Sequence, residues 1–292
     1  LFFIIGANLC WSQTNTPPSL VATGDQFYCP LSQINIVTSF NITDPDDAEI
    51  DAFSIQISTG YVINEDELSL AGTHPNIITN WNATEGKLTF TGVANAPILY
   101  SDLIPAVNDV VYSSSSVAVS GEKHFSFNIG DANYLPITDH YYEYVPANGI
   151  SWTNAKTAAE ARSYFGLKGY LATIVYPEES QLIGEQATGA GWIGGSDAAN
   201  EGVWKWVTGP EAGTTFWNGG VNGSTTTYAN WNTGEPNNLG EEDYAHVISD
   251  PSVGIKGSWN DLIDNYTNND QYKPKGYIVE YGGMPSDPVV DI

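Results

Sequence analysis

The chain has 292 residues, 41% of them hydrophobic, and its 9 Lys and Arg face 34 Asp and Glu for a formal charge of −25. That length suits one large or two ordinary domains with buried cores, and the charge leaves no basic patch to neutralise phosphate, so nucleic acid is not an expected partner. So much carboxylate fits a protein that lives among divalent cations, and equally the plain solubility of a surface protein. Residues 1–9 are an apolar run followed by Cys10-Trp11-Ser12-Gln13. Residues 1–12 therefore read as the hydrophobic core and cleavage region of an export signal, which predicts a secreted or cell-surface protein; the run is too short to span a bilayer, and the alternative is a first strand of the fold. With the signal removed, Cys29 is the one thiol left, so no internal disulfide is expected.

From 17 to 138, the segments 34–42, 53–57, 87–92, 107–112 and 123–129 alternate apolar with polar residues between turn signals, with no helical period. This predicts an antiparallel β-sandwich. Within it, Thr43-Asp44-Pro45-Asp46-Asp47 resembles the acidic turn of bacterial cadherin-like modules, which makes Asp44 and Asp46 candidates for a calcium site; an Asp-rich turn also simply caps a bend. A second domain is expected over 139–282. Strand-like 140–145 leads to a helix that Ser151 can cap, with Ala155, Ala158, Ala159 and Arg162 at a period near 3.6 and Gly166 past its end. Another helix starts at Tyr176-Pro177-Glu178-Glu179 and stops by Gly189. Beyond it Gly, Asn, Thr and Trp dominate most of the remaining length, and 283–292, which contains Met284-Pro285-Ser286-Asp287-Pro288, reads as a linker or tail.

Glu235-Pro236-Asn237, then Glu242, then Trp259-Asn260-Asp261 offer only oxygen donors, in segments that read as loop. Hard cations such as Ca²⁺ take roughly 6–8 such oxygens. Together with Trp192-Ile193-Gly194-Gly195, Gly202-Val203-Trp204-Lys205-Trp206, Asn230-Trp231 and Gly276-Tyr277-Ile278-Val279-Glu280-Tyr281, the order resembles the C-type lectin domain over 139–281. The resemblance implies an α+β domain of two helices, small antiparallel sheets and a long calcium-binding loop region, here preceded by the all-β sandwich. It further implies that Glu235, Asn237, Glu242, Asn260 and Asp261 hold Ca²⁺ and a sugar together, with a cis Pro236 and an added ligand from the Asp261 carbonyl. The Glu-Pro-Asn order goes with mannose, glucose and fucose. Asp197, Glu201, Asn238 and Asp243 correspond to an auxiliary calcium site, with Asn238 standing where an acid is usual; Asp197 and Glu201 could instead cap a turn. Where cystines are customary this chain has Ala159, Tyr244, Asp264 and Val279, as in cystine-free bacterial members.

Trp204, Trp206, Trp231 and Trp259 are read as core, and Trp217 or Tyr228 as better sugar-stacking candidates. His74, His124, His140 and His246 show no zinc spacing, and no Ser-His-acid arrangement, phosphate loop or dinucleotide fingerprint is visible. The expected function is calcium-dependent carbohydrate binding by an adhesin module of a larger multidomain chain, without membrane insertion and without catalysis. The alternative is a calcium-ordered module that binds protein, ice or a mineral surface. A glycosidase using Glu235 and Glu242 is disfavoured, because calcium would hold both ionised while a general acid needs a raised pKa.

Overall fold

The computed structural model describes residues 18–130, 132–135, 137–164, 167–282 and 289–291, so the export-signal reading of 1–12 lies outside the described residues. Alternation along the strand Ala52–Thr59 turns Phe53, Ile55 and Ile57 to one face, where each is at most 1% exposed. The strands Val289–Asp291, His124–Ile129, Ala52–Thr59, Lys87–Gly92 and Ile77–Asn82 form an antiparallel sheet in that order. A three-stranded sheet of Gln33–Asn35, Val110–Ser114 and Asp66–Leu70, and a ribbon of Ser19–Thr23 with Ser39–Thr43, add Leu20, Phe40, Leu68 and Tyr112 to the same core.

Three expectations change here. Segment 34–42 is not one strand but is divided between Gln33–Asn35 and Ser39–Thr43, which belong to different sheets. Segment 100–108 is a helix, α1 (Tyr100–Asn108), and the strand begins only at Val110. Pro105 inside α1 removes a backbone donor and reads as a breaker, but burial of Tyr100, Leu103, Ala106 and Val107 along one face outweighs that loss. In the segment read as a linker, Val289–Asp291 instead adds an edge strand, pairing with His124, Phe125 and Ser126.

The opposite face of the five-stranded sheet is polar. Two cross-strand rows, Asn80–Thr89–Ser54–Asn128 and Asn82–Lys87–Gln56–Ser126, run over four strands. Ser54, Gln56, Ser126 and Asn128 are nevertheless fully buried. The next strand, Asn133–Leu135, approaches this face, and the Tyr134 N–H donates to Asn128 Oδ1 at 3.0 Å.

In the C-terminal part His140–Pro146 pairs with Gly276–Gly282 along its whole length, so chain segments far apart in sequence share one sheet. Its order is Asn133–Leu135, His140–Pro146, Gly276–Gly282, Gly191–Ser196, Val203–Trp206, Thr215–Asn218, with Tyr244–Val247 and Trp259–Leu262 branching from Gly191–Ser196. Ser151 caps α2 (Trp152–Glu160), its hydroxyl accepting from the Asn154 N–H at 3.3 Å. The helix ends before Arg162, which the periodicity had included. Ser163–Tyr164 turns back to pair with Leu167 and Lys168, and the Arg162 guanidinium holds Glu143 at 2.5 Å. α3 (Pro177–Gln186) starts as expected, with Glu179 Oε2 accepting from the N–H groups of Val175 and Tyr176 at 2.6 and 2.9 Å.

At the positions without cystines, Ala159 and Val279 pack in one apolar cluster, and Asp264 Oδ1 accepts from the Thr153 N–H at 2.8 Å and its hydroxyl at 2.5 Å. Trp204, Trp206 and Trp259 are at most 1% exposed; Trp206 stacks on Phe216, while Trp204 and Trp259 meet the half-buried Trp231 edge-on, so packing is their role. Gly194 is required where it stands: a Cβ there would lie 2.0 Å from Thr208 Oγ1 and 2.8 Å from the Leu171 carbonyl.

Candidate functional site

The strand Trp259–Leu262 sets the floor of the site. Its pairing with Tyr244–Val247 buries Asn260 and Asp261, at 4% and 0% exposure. Asp261 uses both carboxylate oxygens on the loop above it, Oδ1 accepting from the Asn237 N–H at 3.1 Å and Oδ2 from the Asn238 N–H at 2.8 Å. The Glu235-Pro236 bond is cis, and Asn237 Nδ2 donates to Glu235 Oε2 at 2.5 Å. Glu242 closes the loop, its Oε2 accepting from the Leu239 N–H at 3.0 Å while its own N–H donates to Asn238 Oδ1 at 2.7 Å. His246 supports the floor from behind. Burial pushes it down to about 3, so it is neutral, and its Nδ1–H donates to the Asn260 carbonyl at 3.1 Å.

Glu235, Asn237, Glu242 and Asn260 line one cavity of about 230 Å³, with Leu239, Leu262, Tyr266, Asp270 and Tyr272. No cationic side chain is among them. Burial, followed by the negative charge of Asp261, pushes Glu235 and Glu242 each up to about 7. Tyr266 and Tyr272 were not anticipated as wall residues. They come from a loop without a recognisable motif, in which Asp270 accepts from the Tyr266 hydroxyl at 2.8 Å and the Tyr272 N–H at 3.0 Å. The two expected stacking residues lie elsewhere: Trp217 and Tyr228 pack half-buried against the core.

The four residues of the second expected cluster also meet. Asp197, Glu201 and Asp243 each place a carboxylate oxygen within 4.8 Å of the others. Asn238 Nδ2 donates to Glu201 Oε1 at 2.7 Å. Its φ of 49° lies in the left-handed region, where Asn is tolerated and most residues are strained. Asp197 is 2% exposed; its Oδ2 accepts from the Gly202 N–H at 2.9 Å while its Oδ1 is buried without a partner. Burial, then the charges of Glu201 and Asp243, pushes it up to about 7. A buried, unpartnered carboxylate oxygen among other oxygen donors fits a hard cation. Among the described residues one further carboxylate trio is this close, Asp44, Asp46 and Asp47. There Asp44 Oδ1 accepts from the N–H groups of Asp46 and Asp47 at 3.0 and 3.1 Å, as in a capped bend.

No family model matches the chain. Halomucin of Haloquadratum walsbyi is 38% identical over 261 residues, 85% of this chain, a stretch longer than 139–282 alone; the chain spans 3% of halomucin's length. The hepatic lectin of Gallus gallus is 30% identical over 165 residues, 53% of this chain and 69% of that protein. The chain belongs to the C-type lectin-like family. Among solved structures, the carbohydrate-recognition domain of the mouse scavenger receptor C-type lectin is 26% identical with a TM-score of 0.37, covering 53% of this chain and 96% of that one. A β-rich region precedes the lectin-like part, whose acidic trio Asp197, Glu201 and Asp243 could hold a metal ion. Among the described residues no helix is long and apolar enough to cross a membrane.

Proposed function

We propose that segment 139–282 is a calcium-dependent carbohydrate-binding module in which Glu235, Asn237, Glu242, Asn260 and Asp261 hold one Ca²⁺ and read a sugar through it. The observation that carries this reading is the cavity walled by Glu235, Glu242 and Asn260, which gathers acidic oxygens and amides without a cationic side chain. Burial, and after it the negative charge of Asp261, raises Glu235 and Glu242, and a divalent cation reverses the logic by favouring their ionised forms. When bound, the ion supplies coordination positions for two neighbouring hydroxyls. The rest is done by side chains. Carboxylates of Glu235 and Glu242 accept from hydroxyl protons, whereas the NH₂ groups of Asn237 and Asn260 donate to hydroxyl oxygens. That order of acceptors and donors suits equatorial vicinal hydroxyls of the mannose, glucose and fucose type. Leu239, 79% exposed at the cavity, and Tyr272 offer apolar surface to the C–H face of a sugar ring.

A second Ca²⁺ belongs in this reading at Asp197, Glu201, Asn238 and Asp243, supported by the unpartnered Asp197 Oδ1. The function is recognition rather than catalysis, by an extracellular chain whose other modules present it, and a shallow site gains useful avidity from several copies. Calorimetric titration with Ca²⁺, followed by a glycan array with and without chelator, tests it. Retention that needs Ca²⁺ and is competed by free mannose supports the reading. Retention that needs Ca²⁺ but ignores free sugar points to the interaction module instead, and hydrolysis of a chromogenic glycoside that is lost in Glu242→Gln overturns it in favour of a glycosidase.

A further inference from the structure

The β-rich N-terminal region contains a cleft of about 680 Å³ at one end of its three-stranded sheet, inside the size range of small-molecule sites. Its walls are held rigidly. The Tyr28 hydroxyl donates to the Ser32 carbonyl at 3.0 Å and accepts from the Ser114 N–H at 2.9 Å, pinning the 29–32 turn to the strand Val110–Ser114. The Ser115 N–H donates to the Glu65 carbonyl at 2.9 Å. Beneath them Asp66, 4% exposed, accepts from Lys123 Nζ at 2.6 Å and from the Tyr112 hydroxyl at 2.7 Å. On the far side Trp81 is half-buried, its ring edge-on to Tyr61 at 6.2 Å, and the Tyr61 hydroxyl donates to the Ala83 carbonyl.

The lining groups are uncommitted by contrast. Gln33, Ser113 and Glu67 form one cross-strand row facing the cleft, with Asn64 and Ser115 at its end. Their side chains, and the Trp81 indole N–H, make no hydrogen bond among the described residues. Lys123, the cation held at this floor, is 3% exposed and bound to Asp66 and the Gly60 carbonyl, so it offers nothing to an anion. A rigid cleft with free hydroxyl, amide and carboxylate groups beside the Trp81 indole matches a ligand that is hydroxyl-rich, uncharged and apolar on one side of its ring.

We propose that this cleft is a second saccharide-binding site, independent of Ca²⁺, that takes a neutral oligosaccharide with one ring against Trp81. It does not rest on the Glu235–Asp261 site, and the two readings fail separately. The test is an array of hexasaccharides from cellulose, mannan and chitin probed with the full chain in excess chelator, which removes the calcium-dependent contribution. Retention of at least one probe is expected, weakened about tenfold by Trp81→Ala and unchanged by Glu242→Gln. Because Trp81 also packs against the core, Asn64→Gly and Gln33→Ala serve as second variants; Gly suits the φ of 64° at Asn64, Gln33 is exposed, and each is expected to weaken retention. Absence of retention in chelator, undiminished retention by Trp81→Ala, or undiminished retention by both Asn64→Gly and Gln33→Ala overturns the proposal.

Discussion

Replacing Glu242 by Gln separates the cost of the site from its use. In the metal-free chain Glu242 is 7% exposed and pushed from an ordinary 4.5 up to about 7 by burial and by Asp261. A carboxyl whose folded pKa exceeds its unfolded one binds more protons in the folded state between those values. Stability of the metal-free protein therefore falls as pH rises from 4.5 to about 7, and the full penalty is present above that. Taken whole, the shift would amount to roughly 3 kcal/mol at 1.36 kcal/mol per pH unit; water entering the open cavity screens it, and about 1.5 kcal/mol is a fair value. The amide of Gln can still accept the Leu239 N–H, so the variant loses the charge and keeps that contact. In chelator at pH 8 Glu242→Gln should then melt roughly 3–6 °C higher than the parent, and the gain should vanish near pH 4.5. Saturating Ca²⁺ should invert the order. At a hundredfold excess over its Kd the ion stabilises the parent by about 2.7 kcal/mol, and the variant forfeits most of that. Differential scanning calorimetry at both pH values, with and without Ca²⁺, reads all four cases. A variant that is less stable than the parent in chelator at pH 8, or that keeps the full Ca²⁺ shift, refutes the reasoning.

Three further outcomes are expected. Calcium and sugar affinity should drop together as pH falls through about 7, since Glu235 and Glu242 must lose their protons to take the ion; flat isotherms between neutral and mildly acidic pH would contradict this. The double change Glu235→Gln with Asn237→Asp reverses the acceptor and donor order beside the cavity and should shift an array profile from mannose toward galactose, an unchanged profile being the adverse result. Ser151→Ala removes the hydroxyl that accepts the Asn154 N–H at the start of α2, and should lower stability by about 0.5–2 kcal/mol in a denaturant titration while sugar affinity stays constant, because the cap lies outside the site; a loss of affinity larger than the loss of stability would show that α2 positions the loops directly.

Part of the fold is legible in the sequence, for a physical reason. Strand alternation at Phe53, Ile55 and Ile57, the Ser151 cap and the Pro177-Glu178-Glu179 helix start are local signals whose energetics involve neighbours in sequence. The proposed oxygen donors stand out for another reason: Glu235, Asn237, Glu242, Asn260 and Asp261 are chemically specific residue types that occur in a fixed order. Tertiary contact decided the rest. Pro105 argues locally against a helix, and only the burial of Leu103, Ala106 and Val107 in a core drawn from distant strands sustains α1. Val289–Asp291 becomes a strand because the edge of His124–Ile129 is there to pair with. Tyr266 and Tyr272 reach the cavity through a loop with no motif, and Asp261 anchors the loop above it through two backbone N–H groups that no pattern of side chains announces. Local pattern sets which faces avoid water and which oxygen donors the chain carries; contact between distant segments brings those donors together, because hydrogen bonds and burial across such distances have no local signature.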